Sequence, residues 1–168
     1  MIKMLEPING EIEREAATTR RVLERVPADK LTWKPHPRSM TLGQLAMHVA
    51  TIPGGICRLA QVDEFEVNPA NFNPPVPKNS AEILAALDVS IHAAQEYLCG
   101  VSEASALGTW RAKANGKEVM AMPRVAMLRS LMLNHWYHHR GQLSVYLRIL
   151  EVPVPMIYGP SADENPFG

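Results

Sequence analysis

The chain has 168 residues, 17 basic and 17 acidic side chains, and 46% hydrophobic residues. That length suits one domain, residues 1–168, able to bury a core, and zero formal net charge argues against a nucleic-acid-binding surface, which needs a basic excess or patch. No apolar run approaches the ~20 residues needed to cross a bilayer, and Met1-Ile2-Lys3-Met4-Leu5-Glu6 lacks the apolar stretch of a signal peptide, so a cytoplasmic protein is the expectation.

In chain order, the first helical periodicity runs from about Leu5 to Val26, with Leu5, Ile8, Ile12, Ala16, Thr19, Leu23 and Val26 at three- and four-residue steps. Pro27 marks a break, and a Pro-rich loop follows through Ser39. A second helix starts at Thr41, where Thr41 and Gln44 fit a capping box. Its stripe is Leu45, His48, Ile52, Ile56 and Leu59. Pro53-Gly54-Gly55 interrupts this helix; the stripe resumes in phase, which predicts a kink rather than a restart.

Residues 68–78 carry four prolines and read as an irregular surface connection. A third helix begins near Ser80 as N-cap, with Leu84, Leu87, Ile91, Ala94 and Leu98 on its inner face and Gly100 near its end. Two alternating runs then flank Asn115-Gly116, the strongest short hairpin signal, because both turn positions need positive φ. The expectation is a small β-hairpin over 109–122 leaning on the helices. A fourth helix runs from Pro123 to about Leu150 with a stripe of Leu128, Met132, His135, His139, Leu143, Tyr146 and Leu150. The tail from Ile157 to Glu164 reads as extended or turn-like.

Three of the six histidines lie in Asn134-His135-Trp136-Tyr137-His138-His139-Arg140-Gly141-Gln142. On a helix, His135 and His139 share one face with Cβ atoms roughly 5–6 Å apart, close enough to share an ion with metal–nitrogen bonds of about 2.0–2.1 Å. His48 also sits on an apolar stripe. Three such imidazoles from two helices could meet inside a bundle, where helical proteins build metal sites, and would leave a coordination position open, as catalytic zinc does. The plainer reading is three hydrogen-bonded core histidines. His138 points about 100° away from His139 and reads as a supporting or surface residue. His36 in its loop reads as solvated, and His92 as a helix-flank residue.

Other chemistry is excluded by pattern. Trp136 stands where a His-Glu-x-x-His metallopeptidase carries its general base, and no Asp or Glu occurs between Pro123 and Leu150. If chemistry occurs, a metal must supply much of it, as a Lewis acid or by lowering the pKa of bound water or thiol. Arg124, Arg129, Arg140 and Arg148 read as a solvated basic face, with the alternative that one orients an anionic substrate. No nucleophilic-serine elbow, phosphate loop or dinucleotide fingerprint is present. Cys57 and Cys99 form no Cys-x-x-Cys and read as buried reduced residues, so a metal must be held by nitrogen or oxygen. The nine methionines read as core filler.

His135-x-x-x-His139-Arg140-Gly141-Gln142 resembles the signature of the DinB/YfiT-like metalloenzymes. Thr41-Leu42-Gly43-Gln44-Leu45-Ala46-Met47-His48 resembles that family's second motif, and Val152-Pro153-Val154-Pro155 through Glu164 the tail of one subgroup. The resemblance covers almost the whole chain. It implies an all-α, four-helix bundle in up-down-down-up order, here with the hairpin as an insertion. It implies a divalent metal, nickel or zinc, on His48, His135 and His139, and a homodimer. Some relatives are transferases or isomerases using low-molecular-weight thiols. The functional expectation is therefore a metal-dependent enzyme acting on a small molecule, a thiol-dependent S-transferase or a hydrolase. The alternative is a non-catalytic, stress-related dimer whose histidines or metal are structural.

Overall fold

A computed structural model describes residues 1–68 and 74–167; residues 69–73 of the predicted Pro-rich connection lie outside the described residues. The chain is mostly helical (58%) with a small three-stranded sheet. Helix α1 spans Glu6–Leu23, α2 Leu42–Leu59, α3 Ser80–Gly100 and the short α4 Glu103–Leu107. The C-terminal helical run comprises α5 (Arg124–Met127), a π-helical segment (Leu128–Asn134) and α6 (His135–Ile149). Strands β1 (Glu64–Glu66), β2 (Thr109–Ala114) and β3 (Lys117–Pro123) lie in the order β1-β2-β3. No described helix is long and apolar enough to cross a membrane.

Helix α2 is the element against which most others are set. Its start is locked by the predicted capping box: Thr41 Oγ1 accepts from Gln44 N at 3.2 Å, and Gln44 Oε1 accepts from Thr41 N at 3.0 Å. Pro53 lies inside the helix without ending it. The Gly54 N–H beside it donates to Ser90 Oγ on α3 at 2.8 Å, in a buried position. A Cβ at Gly54 would sit 2.7 Å from the Ser90 carbonyl oxygen and 2.9 Å from its Cα. The two backbones therefore touch, and only glycine permits it. Ser90, absent from the predicted stripe, is buried with Ile83, Leu87, Ala94 and Leu98, whereas Leu84 and Ile91 are only partly buried. The cap of α3 also differs from expectation: Asn79 is the N-cap, its side chain accepting from Glu82 N, and Ser80 Oγ instead donates to the Val26 carbonyl at 3.1 Å. Asparagine and serine cap equally well, so the tertiary bond to Val26 decides between them.

The predicted hairpin is present, with Asn115 at φ 52° and Gly116 at φ 72°, the two left-handed residues of a tight turn. It is not alone. Strand β1 pairs in parallel with β2, Glu64 opposite Arg111 and Glu66 opposite Lys113, so the expected two-stranded insertion is a three-stranded sheet. Trp110 and Ala112 are the buried side chains of β2, and the Trp110 indole N–H donates to the Leu59 carbonyl at 3.0 Å, tying the sheet to the end of α2. Arg124 completes that joint. It is 4% exposed and donates to the carbonyls of Ala60 (2.9 Å), Val62 (3.1 Å) and Ser105 (3.2 Å) and to Asp63. It thus satisfies carbonyls that a helix end leaves without partners.

Half of the predicted basic face on the last helix is solvated: Arg129 and Arg148 are exposed, whereas Arg124 and Arg140 are buried. Arg140 is 1% exposed. It pairs with Glu15 at 2.6 Å, donates to Thr19 Oγ1 at 3.1 Å and Tyr158 Oη at 2.7 Å, and lies against the rings of Tyr137 and Tyr158. Arg129 pairs with Glu11 and Arg148 with Asp163. The inner face of α6 is Trp136, Arg140, Leu143 and Leu147, not the predicted line through His135, His139 and Tyr146. The π segment explains the shift: its wider turns hold about one extra residue each, which advances the inward stripe from Met132 through Leu133 to Trp136. Of the cysteines, Cys57 is buried and Cys99 is exposed. Burial pushes the Cys57 thiol up to about 12.

Two outcomes follow. Gly54→Ala, which in an ordinary exposed helix gains stability, will here lower it by about 1–3 kcal/mol through overpacking against Ser90, read as a shifted urea midpoint. Glu15→Ala will cost about 3–5 kcal/mol by leaving Arg140 buried without its counter-charge. Replacing both partners, Glu15→Leu with Arg140→Met, will recover most of that loss in the same denaturation experiment.

Candidate metal centre

His48 comes from the middle of α2, and His135 and His139 from the first turns of α6. All three are half-buried, because each stands beside a buried position rather than on it: His48 next to Met47 and Val49, His135 next to Trp136, His139 next to Arg140. The expectation of histidines on the innermost stripe is therefore corrected. Their rings converge nonetheless. Ring centroids are 5.1 Å apart for His48 and His135, 4.5 Å for His48 and His139, and 4.5 Å for His135 and His139. One nitrogen of each ring lies within 4.8 Å of the others.

The separation of His48 Nε2 from His135 Nε2 is 3.4 Å. Two nitrogens bound tetrahedrally to one ion at about 2.0–2.1 Å stand about 3.4 Å apart. The donor set thus fits a divalent ion preferring imidazole.

The far sides of two rings are held. His139 Nδ1 donates to Gln142 Oε1 at 2.7 Å, which leaves Nε2 as the unprotonated nitrogen of the neutral ring. The Leu131 carbonyl, inside the π segment, hydrogen-bonds the His135 ring. Such outer bonds orient the imidazole and raise its basicity as a ligand. Sequence reasoning had not assigned Gln142 or Leu131 these parts. Gln142 was within reach of it, since residues three apart share a helix face; Leu131 was not, because the π segment could not be foreseen.

Burial is the largest influence on each ring. It pulls His48 down to about 4, with the charge of His139 and then His135 adding to it. Burial, followed by His135, pulls His139 down to about 4 despite the Gln142 bond, and burial lowers His135 too. At neutral pH all three rings are uncharged, the form that ligates. Of the remaining histidines, His138 keeps its ring centroid 4.9 Å from that of His139 without joining the ligand group, and His36 and His92 lie away from the cluster. His138 is exposed on α6, as its helix phase predicted. His36 is exposed and accepts from Arg38 N through Nδ1, and His92 is exposed and pairs with Glu96.

Open space surrounds the cluster. A recess of about 250 Å³ bordered by His48, Thr51, Gly55, Phe65 and His135 opens on one side. A groove of about 240 Å³ bordered by Arg38, Ser39, Gln142 and Tyr146 reaches His139. Among the described residues no acidic side chain borders either one.

Known proteins resemble this chain in sequence and in overall fold. The family model described as DinB family matches residues 1–165. A Bacillus subtilis (strain 168) protein, YrdA, described only as uncharacterised, is 28% identical over 166 residues, covering 98% of this chain and 93% of that protein. The crystal structure of a DinB-like protein from Bacillus cereus ATCC 10987 superposes with a TM-score of 0.63 at 28% identity, covering 86% of this chain and 91% of that one. A DinB-like protein from Bacillus subtilis, YjoA, superposes with a TM-score of 0.67 at 19% identity, covering 90% and 97% respectively, a likeness of fold.

The lowered ring pKa values set a pH dependence. The unfolded chain, with histidines near 6.5, takes up protons before the folded one as pH falls. The stability they contribute is therefore complete above about 6.5 and declines as pH falls from there toward 4. The melting temperature of metal-free protein will drop across that window, and the variant His48→Gln, His135→Gln, His139→Gln will show a flatter profile between the same limits.

Proposed function

The chain belongs to the DinB family, and from that premise we propose that it is a metal-dependent enzyme, holding one divalent ion on His48, His135 and His139 and acting on a small molecule. The observation that carries the reading is the 3.4 Å approach of two ring nitrogens from different helices, with a third ring beside them and open space next to the cluster. Nickel and zinc both suit three imidazoles. When bound, the ion would supply Lewis-acid activation of a water or thiol at an open position.

The chain's own residues do the rest. Gln142 and the Leu131 carbonyl hold the rings in the ligating orientation. Arg38 and Tyr146 border the groove at His139 and suit a polar or anionic reactant, a low-molecular-weight thiol among them. Among the described residues no acidic group borders either opening, so no carboxylate base stands there. That favours a reaction whose nucleophile is activated by the ion, thiol transfer first and hydrolysis second. On the family resemblance we further propose a bundle of the four long helical segments in up-down-down-up order, and a homodimer.

Elemental analysis of protein made without a histidine tag will find about one divalent ion per chain. His48→Ala, His135→Ala and His139→Ala will each release it, and His138→Ala will retain it. Absence of metal from the parent protein defeats the reading. Metal-loaded protein screened with cellular thiols and an electrophile panel will show transfer; silence toward both thiol transfer and hydrolysis, with metal present, favours a structural ion in a non-catalytic protein.

A further inference from the structure

Beside the recess at His48 and His135 lies a second one, of about 210 Å³. The two share Ile56, Leu59, Phe65 and His135 as walls, so they adjoin. The second is closed by Trp110, Val119 and Leu131 from the sheet and the π segment. Among the described residues its only ionisable wall is His135. The polar atom of Trp110 is already engaged with the Leu59 carbonyl. Val119, 59% exposed, stands at the wall on the sheet side.

A second observation comes from α2. Gly54 is glycine because Ser90 leaves no room for a side chain. Gly55, next to it, has no heavy atom within 4 Å of where its Cβ would be, and it borders the recess at His48. A helix-interior glycine weakens a helix relative to alanine. Here no packing contact requires it; what its missing side chain leaves is space beside the histidines.

We propose that these adjoining recesses form one binding site for an alkyl or aryl group of the substrate, delivered to the histidine cluster from the α2–sheet side. The position of the reacting atom rests on the metal reading above; the existence of the apolar site does not. An apolar cavity of about 150 Å³ already holds benzene, so the smaller of the two recesses, about 210 Å³, accepts a ring or a chain of roughly six carbons. The groove at Arg38 and Gln142 lies next to His139 instead, so a polar reactant and the apolar group reach the cluster past different imidazoles.

The test uses the full chain and simple probes. Metal-free protein is titrated with ethanol, 1-butanol and 1-hexanol while methyl NMR signals of Ile56, Leu59, Val119 and Leu131 are followed. The expected result is saturable shifts of these methyls, with about fourfold tighter binding per added methylene until the site is full. Gly55→Leu will fold with a melting temperature at or above that of the parent and will weaken 1-hexanol binding at least tenfold; Gly55→Ala will fall between. A zinc-loaded sample is then titrated with acetohydroxamate and octanohydroxamate, and the longer chain will bind more tightly by a factor that Gly55→Leu removes. Unshifted cleft methyls overturn the proposal, as do undiminished 1-hexanol binding by folded Gly55→Leu and hydroxamate binding that ignores chain length. Zinc content measured on the same samples separates the two ideas. Zinc bound without alkyl binding defeats the cleft and spares the metal reading, and alkyl binding without zinc does the reverse.

Discussion

The rotational setting of α6 is held by one buried charge. Arg140 cannot be turned toward solvent without abandoning Glu15, Thr19 and Tyr158, and it cannot stay inside without them, since an unpaired buried cation is strongly unfavourable. Trp136, one helical turn earlier, is fully buried on the same face. With those two residues facing α1 and the core, the residues just before them, His135 and His139, are carried about 100° around the helix. They come to rest half in and half out. Full burial would have sealed the rings from any reactant, and full exposure would have left them protonated more readily and free to spin. The ion pair on one face of α6 thus determines the accessibility of the histidines on the next.

Helix α2 meets a matching constraint from the other side. Its backbone touches α3 at Gly54 and Ser90, so its position relative to the core is set at that point within narrow limits. His48 lies less than two turns before Gly54 on the same helix. The approach of its Nε2 to that of His135, 3.4 Å, follows from two fixtures, the backbone contact between α2 and α3 and the buried Arg140 ion pair. The adjacent glycines have opposite surroundings, one pressed against a neighbouring backbone and one facing open space.

Local signals were read well where the physics was local. The capping box at Thr41 and Gln44, the continuation of α2 through Pro53, and the Asn115-Gly116 turn each depend on a few consecutive residues, and each is present as expected. Readings failed where a distant partner decided. Strand β1 exists because Glu64–Glu66 pairs with β2, some 47 residues later in register. Ser80 lost the cap to Asn79 because the Val26 carbonyl claimed its hydroxyl. Arg124 and Arg140 looked like surface charges because sequence shows a charge but not the carbonyls or the carboxylate waiting for it. The phase error in the last helix came from assuming one period throughout. A π segment leaves no compositional mark, yet it shifts every later residue around the axis.

The sequence by itself determined which residues could act: three histidines on helices, two of them one turn apart, with no cysteine pair and no helical carboxylate beside them. It also determined the helices that carry them, because periodicity and capping are properties of neighbouring residues. Only the tertiary structure decided that His48 meets a partner 87 positions away, that the three rings are half-buried, and that an apolar recess adjoins them. Those outcomes depend on how helix faces are rotated and how closely backbones approach. Both are fixed by contacts between residues far apart along the chain, and no local pattern encodes them.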